Sequence, residues 1–193
     1  MNGGKTGFTL IEILFAATIA VTILGAAFSV MMQLRNTSAM LELRAAARMD
    51  GERALHVISQ ELGQASLSSI SALPAPSVTY RIPVDASGNG TALDAHGRVE
   101  WSEERVIQRD MEDANHDGLG AKQLVLVNGD DITVLANGLA PDEKDDNATA
   151  RPGVWFEPVA GGVRVVIRAQ RTVLPGPHVL IEEVERTVHV RNP

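Results

Sequence analysis

The chain has 193 residues, with 17 Lys and Arg against 24 Asp and Glu, a formal charge of −7 and no cysteine. The acidic balance argues against a nucleic-acid-binding surface, which is normally a basic patch. The lack of thiols removes disulfide scaffolds, thiolate zinc sites and thiol catalysis, and the length allows one domain or two small ones.

The apolar residues are concentrated near the N-terminus. A polar leader, residues 1–7 (MNGGKTG), carries one cation, Lys5. From Phe8 to Leu34 the 27 residues read FTLIEILFAATIAVTILGAAFSVMMQL, with Glu12 the only charge. A bilayer-spanning helix needs about 20 apolar residues at about 1.5 Å each, so residues 8–34 predict a membrane-spanning helix. The segment is longer than the roughly 7–15-residue apolar core of a secretory signal. The positive-inside rule places the leader in the cytoplasm and the rest outside, although Arg35, Arg44 and Arg48 follow on the far side.

The helical signal continues past the apolar segment, with no proline between Met1 and Leu73. Apolar or small residues recur at Met40, Leu43, Ala47, Gly51, Leu55, Ile58, Leu62 and Ala65, the spacing of one helix face. Arg44, Asp50, Glu52, Arg53 and Glu61 take other faces. The pattern predicts one helix from Phe8 to Ser69, in which residues 35–72 form the extramembrane half. Gly25 and Gly51 are weak points, each costing about 1 kcal/mol relative to Ala. Pro74 and Pro76 end the helix.

After Pro76 the pattern changes to β. Residues 77–83 (SVTYRIP) and 98–101 read as short strands. Residues 122–128 and 131–136 are apolar runs joined at Asn128-Gly129, a strong hairpin signal. Val163, Val165, Ile167 and Ala169 alternate with Arg164, Arg168 and Gln170, the pattern of a half-buried strand. Residues 178–191 predict a final strand with Val184, Val188 and Val190 on one face. Arg186 interrupts that face, which calls for a bulge or an edge position. Loops fall at 85–97, 110–121 and 141–152. Residues 73–193 therefore predict one β-rich head, with the end of the long helix covering one sheet face.

No catalytic constellation is present, so the sequence predicts a protein that is not an enzyme. His56, His96, His116, His178 and His189 lack metal-ligand spacing, and no phosphate loop or nucleophile elbow occurs. Trp101, Trp155 and Phe156 read as packing residues. Arg164, Arg168 and Arg171 form a small basic group that either balances acidic loops across a subunit contact or faces water. Asp113, Asn115, Asp117 and Gly118 match the first half of a calcium loop, D-x-[DN]-x-[DN]-G. The second half fails, because the acid expected at the twelfth position falls on Leu124. Glu112, Asp110, Asp130 or Asp131 are available substitutes, and the alternative reading is an acidic, turn-rich surface loop. Calcium is thus a possible cofactor, and none is required.

Gly7-Phe8-Thr9-Leu10-Ile11-Glu12 opens the apolar segment. With the short leader and Lys5, it resembles the cleavage and assembly signal of type IV prepilins and of type II secretion pseudopilins. The specific match covers about 30 residues. A weaker likeness extends through Tyr80-Arg81-Ile82, Val134-Leu135-Ala136-Asn137-Gly138 and residues 188–192 to the W-type minor pilins and J-type pseudopilins. The resemblance implies an α+β lollipop: a long N-terminal membrane-spanning helix and a C-terminal β-rich head.

It also implies a chemistry. The prepilin peptidase would cut between Gly7 and Phe8 and methylate the new Phe8 amine. A cut there precedes the apolar stretch, so the mature chain keeps its anchor, and a glycine lets a peptidase approach the backbone closely. The chain is the substrate of that reaction. A carboxylate inside a span costs about 2.5–3.5 kcal/mol at the centre. Near the interface, however, Glu12 could simply reach water beside the helix N-terminal dipole. In the context of the signal, Glu12 is expected to pair with a neighbouring subunit's N-terminus during assembly. The expected partners are other pilins or pseudopilins, the peptidase and membrane lipid, with no nucleic acid. The expected place is the inner membrane with the head outside the cytoplasm. The reading from a different class is a membrane-anchored binding or adhesion module with a calcium-stabilised head.

Overall fold

The structure, a computed structural model, describes residues 9–71, 73, 75–144, 150–172 and 179–190. The fold is α+β: one long N-terminal helix, α1 (Leu10–Gln64), followed by antiparallel strands. The chain divides into two compact units, Met1–Glu42 and Leu43–Pro193.

In the first unit α1 is exposed along its whole length. Its large apolar side chains from Leu10 to Leu34 are 44–83% exposed. The most apolar 18 residues have a mean hydropathy of 2.3, with none of them buried. By length and composition the helix is sufficient to cross a membrane.

In the second unit the same helix becomes the centre of a core. Ala47, Gly51, Ala54, Leu55, Ile58 and Leu62 are buried, the stripe that the sequence spacing predicts, with Ala54 added. Met40, predicted on this stripe, is 39% exposed. The helix also stops earlier than Ser69. At Ser66 the backbone turns extended (φ −96, ψ 146) and its hydroxyl accepts the Ser68 N–H, capping a separate 3-10 turn at Leu67–Ser69. Serine competes with helical hydrogen bonding in this way, and Ser66, Ser68 and Ser69 are clustered there; the prolines are not what ends α1.

Two antiparallel sheets contribute to that core. The first is a meander of β1 (Val78–Tyr80), β2 (Arg105–Arg109), β3 (Gln123–Asn128) and β4 (Asp131–Asn137). The second is a meander of β7 (Val154–Val159), β8 (Gly162–Thr172) and β9 (Val179–His189). A short pair, β5 (Glu143–Lys144) and β6 (Ala150–Arg151), lies between them in sequence. Leu55, Ile58 and Leu62 share one cluster with Val78 and Tyr80 of β1, Ile107 of β2 and Leu124 of β3. The same cluster contains Phe156 of β7, Ile167 of β8 and Val184 of β9.

The β3–β4 hairpin forms at the predicted place. Asn128 pairs with Asp131, and φ is positive at Gly129 (60°) but not at Asp130. Glycine at the first central position suits a two-residue hairpin turn. Other expectations need correction. Residues 98–101 form isolated bridges, Leu93 with Val99 and Pro83 with Trp101, and the inner strand beside β1 is instead β2. For Arg186, of the two alternatives the edge position holds and the bulge does not: β9 is an edge strand that pairs with β8 without interruption. The bulge is in β4, where Leu135 has no partner between Leu124–Ala136 and Val125–Val134. It lets two successive residues, Leu135 and Ala136, both be buried.

Ion pairs flank the buried stripe. Arg44 pairs with Glu182 at 3.5 Å, Asp50 with Arg171, and Glu52 with Arg186 at 2.9 Å. The arginines of β8 are used within the chain as well: Arg164 pairs with Glu157 and Glu185, and Arg168 with Glu143. These arginines pair within the chain; Arg164 and Arg171 also keep partial contact with water, while Arg168 is buried. Deeper in, Glu61 Oε2 accepts both the Tyr80 hydroxyl (2.9 Å) and Arg105 Nη1 (2.8 Å).

Two tests follow from this packing. A Cβ on Gly51 would sit 2.5 Å from Val184 Cγ2, whereas one on Gly63 would meet nothing within 4 Å. Gly51→Ala should therefore destabilise by about 1–3 kcal/mol through overpacking against a stiff β-branched side chain. Gly63→Ala should stabilise by up to about 1 kcal/mol through helix propensity. Thermal melts of the two variants in detergent should move in opposite directions; a rise for Gly51→Ala would contradict the close approach of α1 to β9. The second test uses Tyr80, the chain's one tyrosine. Burial, then the Glu61 charge beside it, push its hydroxyl well above the ordinary value, with Arg105 opposing. A raised folded-state value means that the stabilisation is complete below the unfolded pKa of about 10 and is lost as pH rises beyond it. Absorbance at 295 nm should show no ionisation at pH 10 and should rise only together with loss of near-UV circular dichroism. A midpoint near pH 10 in the folded protein would contradict the buried triad.

Candidate functional site

Gly7 and Phe8 lie outside the described residues. The first described residue, Thr9, is tied to Glu12 in both directions. Thr9 N–H and Thr9 Oγ1 donate to Glu12 Oε2 at 2.9 and 3.0 Å, and Glu12 N–H donates to Thr9 Oγ1 at 3.4 Å. This is a capping box, in which a threonine and a glutamate three residues on satisfy each other's backbone N–H at a helix start. The signature, Thr-x-x-Glu before an apolar run, was present in the sequence and gives Glu12 an intrachain role that the span-plus-charge argument omits. The remaining hydroxyls of the apolar segment are satisfied too. Thr18, Thr22 and Ser29 donate to the carbonyls of Leu14, Thr18 and Gly25 at 2.8–2.9 Å. A helix in hydrocarbon needs this, because no water is there to take up unpaired polar groups.

The second candidate is the β2–β3 loop. Asp113 holds the turn from one side: its Oδ1 accepts from Asp117 N–H and its Oδ2 from Gly118 N–H, at 3.1 and 3.0 Å. Gly118 has φ 80°, and His116 and Asp113 themselves have positive φ of 57° and 52°. Asn115 Oδ1 also accepts from Asp117 N–H, at 3.2 Å. Asp117 Oδ2 accepts from Asn115 Nδ2 (3.1 Å) and Gln123 Nε2 (2.6 Å). The Leu119 N–H, then the Gln123 amide, hold the exposed Asp117 carboxyl below its usual range. Gln123, 1% exposed, supports the loop from beneath and also donates to Asn137 Oδ1 at 2.8 Å. Nothing in the sequence pattern marked Gln123 as functional, since a lone glutamine at the start of a strand carries no motif.

The three predicted loop residues are thus brought together. Among the described residues no group of three His, Asp or Glu side chains is clustered as a metal site; the loop offers two carboxylates and an amide. Leu124, at the twelfth loop position, is fully buried in the core. Asp130 and Asp131 lie at the far end of β3, in the β3–β4 turn.

His56, His96, His116 and His189 are exposed, and Phe156 is buried. A cavity of about 300 Å³ is lined by Pro76, Ser77, Gln108, Arg109, Met111, Asp142 and Val154. Its one cation, Arg109, is engaged by Asp142 and the Ala140 carbonyl, and burial lowers its pKa. No protein-family model, curated protein or solved structure matches this chain.

Proposed function

We propose that the chain is a minor pilin or pseudopilin, a structural subunit that assembles through its N-terminal helix into a type IV pilus or type II secretion pseudopilus. The observation that carries this reading is Gly7-Phe8-Thr9-Leu10-Ile11-Glu12 at the head of a helix that runs to Gln64. The exposed apolar half of α1 supports it, because uncovered apolar surface of this extent needs lipid or neighbouring helices. In this reading the peptidase cuts between Gly7 and Phe8 and methylates Phe8. The mature chain sits in the inner membrane with its head outside the cytoplasm. The neighbours that cover α1 in the filament are other pilins.

Glu12 then has two successive partners. In the single chain it caps its own helix through Thr9. In a filament the same carboxylate receives the Phe8 amine of a neighbour. An α-amine has an ordinary pKa near 8, so it enters the helix bundle charged and needs an anion there.

Processing is tested by co-expression with a prepilin peptidase. The expected product has lost seven residues, gained one methyl group and stayed in the membrane fraction, as read by intact mass. Cleavage near residues 45–47 with release of a soluble product would contradict the proposal and favour an ordinary secreted protein.

Assembly is tested at Glu12. Glu12→Gln keeps a side chain able to cap through Thr9 but removes the charge; Glu12→Val removes both. Both variants should be processed and inserted as well as wild type, because a charge costly in the membrane is gone. Both should be recovered with partner pilins at least a hundredfold less efficiently, since breaking a buried ion pair costs about 3–5 kcal/mol. Normal recovery of Glu12→Gln with loss for Glu12→Val would reduce Glu12 to a helix cap. Normal recovery of both would remove its assembly role.

A further inference from the structure

β9, 11 residues long, lies at the edge of its sheet and pairs with β8 along its whole length. The phase of that pairing is fixed at its end, where the Val190 N–H donates to the Gly161 carbonyl at 3.2 Å. Residues of an antiparallel strand alternate between facing one neighbour and facing the other side. Val179, Ile181, Glu183, Glu185, Thr187 and His189 therefore direct their backbone N–H and C=O groups away from β8. Among the described residues none of these groups has a backbone partner. The edges of β1 and β7 differ. The Ser71 N–H bonds the Thr79 carbonyl of β1 at 2.9 Å, and Ala75 exchanges both backbone bonds with Phe156 of β7 at 2.9 and 3.0 Å. β9 also lacks the usual guards of an edge. It contains no proline, lysine or bulge, and its inward charges, Glu182 and Arg186, are met by Arg44 and Glu52 of α1.

The outer face of the sheet carries a second feature beside that edge. Trp155 of β7 is half-buried between the buried Val154 and Phe156, so its side chain is on the outer face. Its ladder partner Val166 is half-buried on the same face. With Arg151, Pro152, Arg168 and Glu183 they line a cavity of about 290 Å³. Arg168 stands opposite Glu183 in the ladder, but its guanidinium is taken by Glu143 at 3.0 Å and by the Arg151 carbonyl at 2.7 Å. Glu183 is exposed and has no ion-pair partner among the described residues. The cavity thus combines an aromatic ring, a proline, a valine and one unmet carboxylate. That set suits a basic side chain, whose apolar stem packs on the walls while its cation meets the carboxylate and the indole face.

We propose that the outer edge of β9, with the Trp155–Glu183 cavity beside it, docks an extended basic segment of another protein. The segment adds a strand to the sheet through main-chain hydrogen bonds and takes its specificity from alternate side chains. Charge complementarity names the class of occupant. Of the two glutamates on the outer face of β9, Glu185 is already met by Arg164, and Glu183 is left for a lysine or arginine of the incoming strand. An acidic segment is repelled there. A second copy of β9 fits poorly for the same reason: antiparallel pairing centred on Val184 sets Glu183 directly against Glu185, and like charges so placed are destabilising. The inference concerns the second unit alone and does not depend on the pilin reading.

The test uses the full chain in a non-ionic detergent. The probe is a capped octapeptide of alternating valine and lysine, with the valine–glutamate peptide as its counterpart. Calorimetric titration should show one lysine peptide bound per chain and the glutamate peptide held at least about tenfold more weakly. Glu183→Lys, at an exposed position, should reverse that preference. Trp155→Ala should weaken the lysine peptide at least about threefold. The bound lysine peptide should also slow amide hydrogen exchange over residues 179–189, because the outward N–H groups become bonded. No binding, or equal affinity for the two peptides, would overturn the proposal. Undiminished affinity in Glu183→Lys or Trp155→Ala would place the peptide elsewhere and overturn this site. Binding without slower exchange over residues 179–189 would overturn strand addition.

Discussion

The contact on which the second unit depends is that of the apolar stripe of α1, residues 47–62, with the inner faces of two separate sheets. Three of its side chains, Leu55, Ile58 and Leu62, are fully buried. At about 1.5–3 kcal/mol each, their burial together is comparable to the whole stability of an ordinary domain. Neither sheet provides an alternative: a three-stranded and a four-stranded meander each expose one apolar face until the helix fills the space. Gly51 on the same stripe lets the helix backbone come close to Val184 of β9. The charged residues follow from this placement. Asp50, Glu52 and Glu61 flank the stripe and meet Arg171, Arg186 and Arg105 on the strands. The Asp50 and Glu52 pairs, partly exposed, fix orientation more than they add stability, since such pairs contribute about 0–1 kcal/mol each.

One continuous helix thus has an uncovered part and a core-forming part. Up to Glu42 its apolar side chains are uncovered and its hydroxyls are bonded to its own carbonyls; from Ala47 one apolar stripe is covered by protein, while Met49 on another face stays exposed. The polar atoms separate the two regimes better than the apolar ones do. In the apolar segment every hydroxyl is closed on the helix itself, and the single carboxylate closes on Thr9. In the second unit polar groups reach across to other elements, as Glu61 does to Tyr80 and Arg105.

The long elements were legible in the sequence because their periods are unambiguous. The alternation at Val163, Val165, Ile167 and Ala169 and the glycine at position 129 identified β8 and the β3–β4 hairpin. β2 was not legible, because its ends are Arg105 and Arg109, and charged ends read as loop. They are held inside by Glu61 and Asp142, partners 44 and 33 positions away, which no local pattern contains. Arg186 was half legible: a charge on an inward face suggested a bulge or an edge position, and β9 is an edge strand without a bulge, with Glu52 of α1 as the partner of Arg186. Gly51 looked like a defect of the helix and is a contact surface. In the loop, Asp113, Asn115 and Asp117 stood out by spacing.

The central claim, that a single helix is lipid-facing or partner-facing in its first part and core-forming in its second, is open to one direct measurement. The chain has no cysteine, so single cysteines placed at Ile19, Leu41 and Ile58 can each be labelled without background. In reconstituted vesicles a membrane-impermeant maleimide should label position 41 rapidly. Position 19 should resist until detergent is added, and position 58 should resist in vesicles and in detergent until the head is unfolded by denaturant. Rapid labelling of position 19 in intact vesicles, or of position 58 in the native protein, would contradict the account.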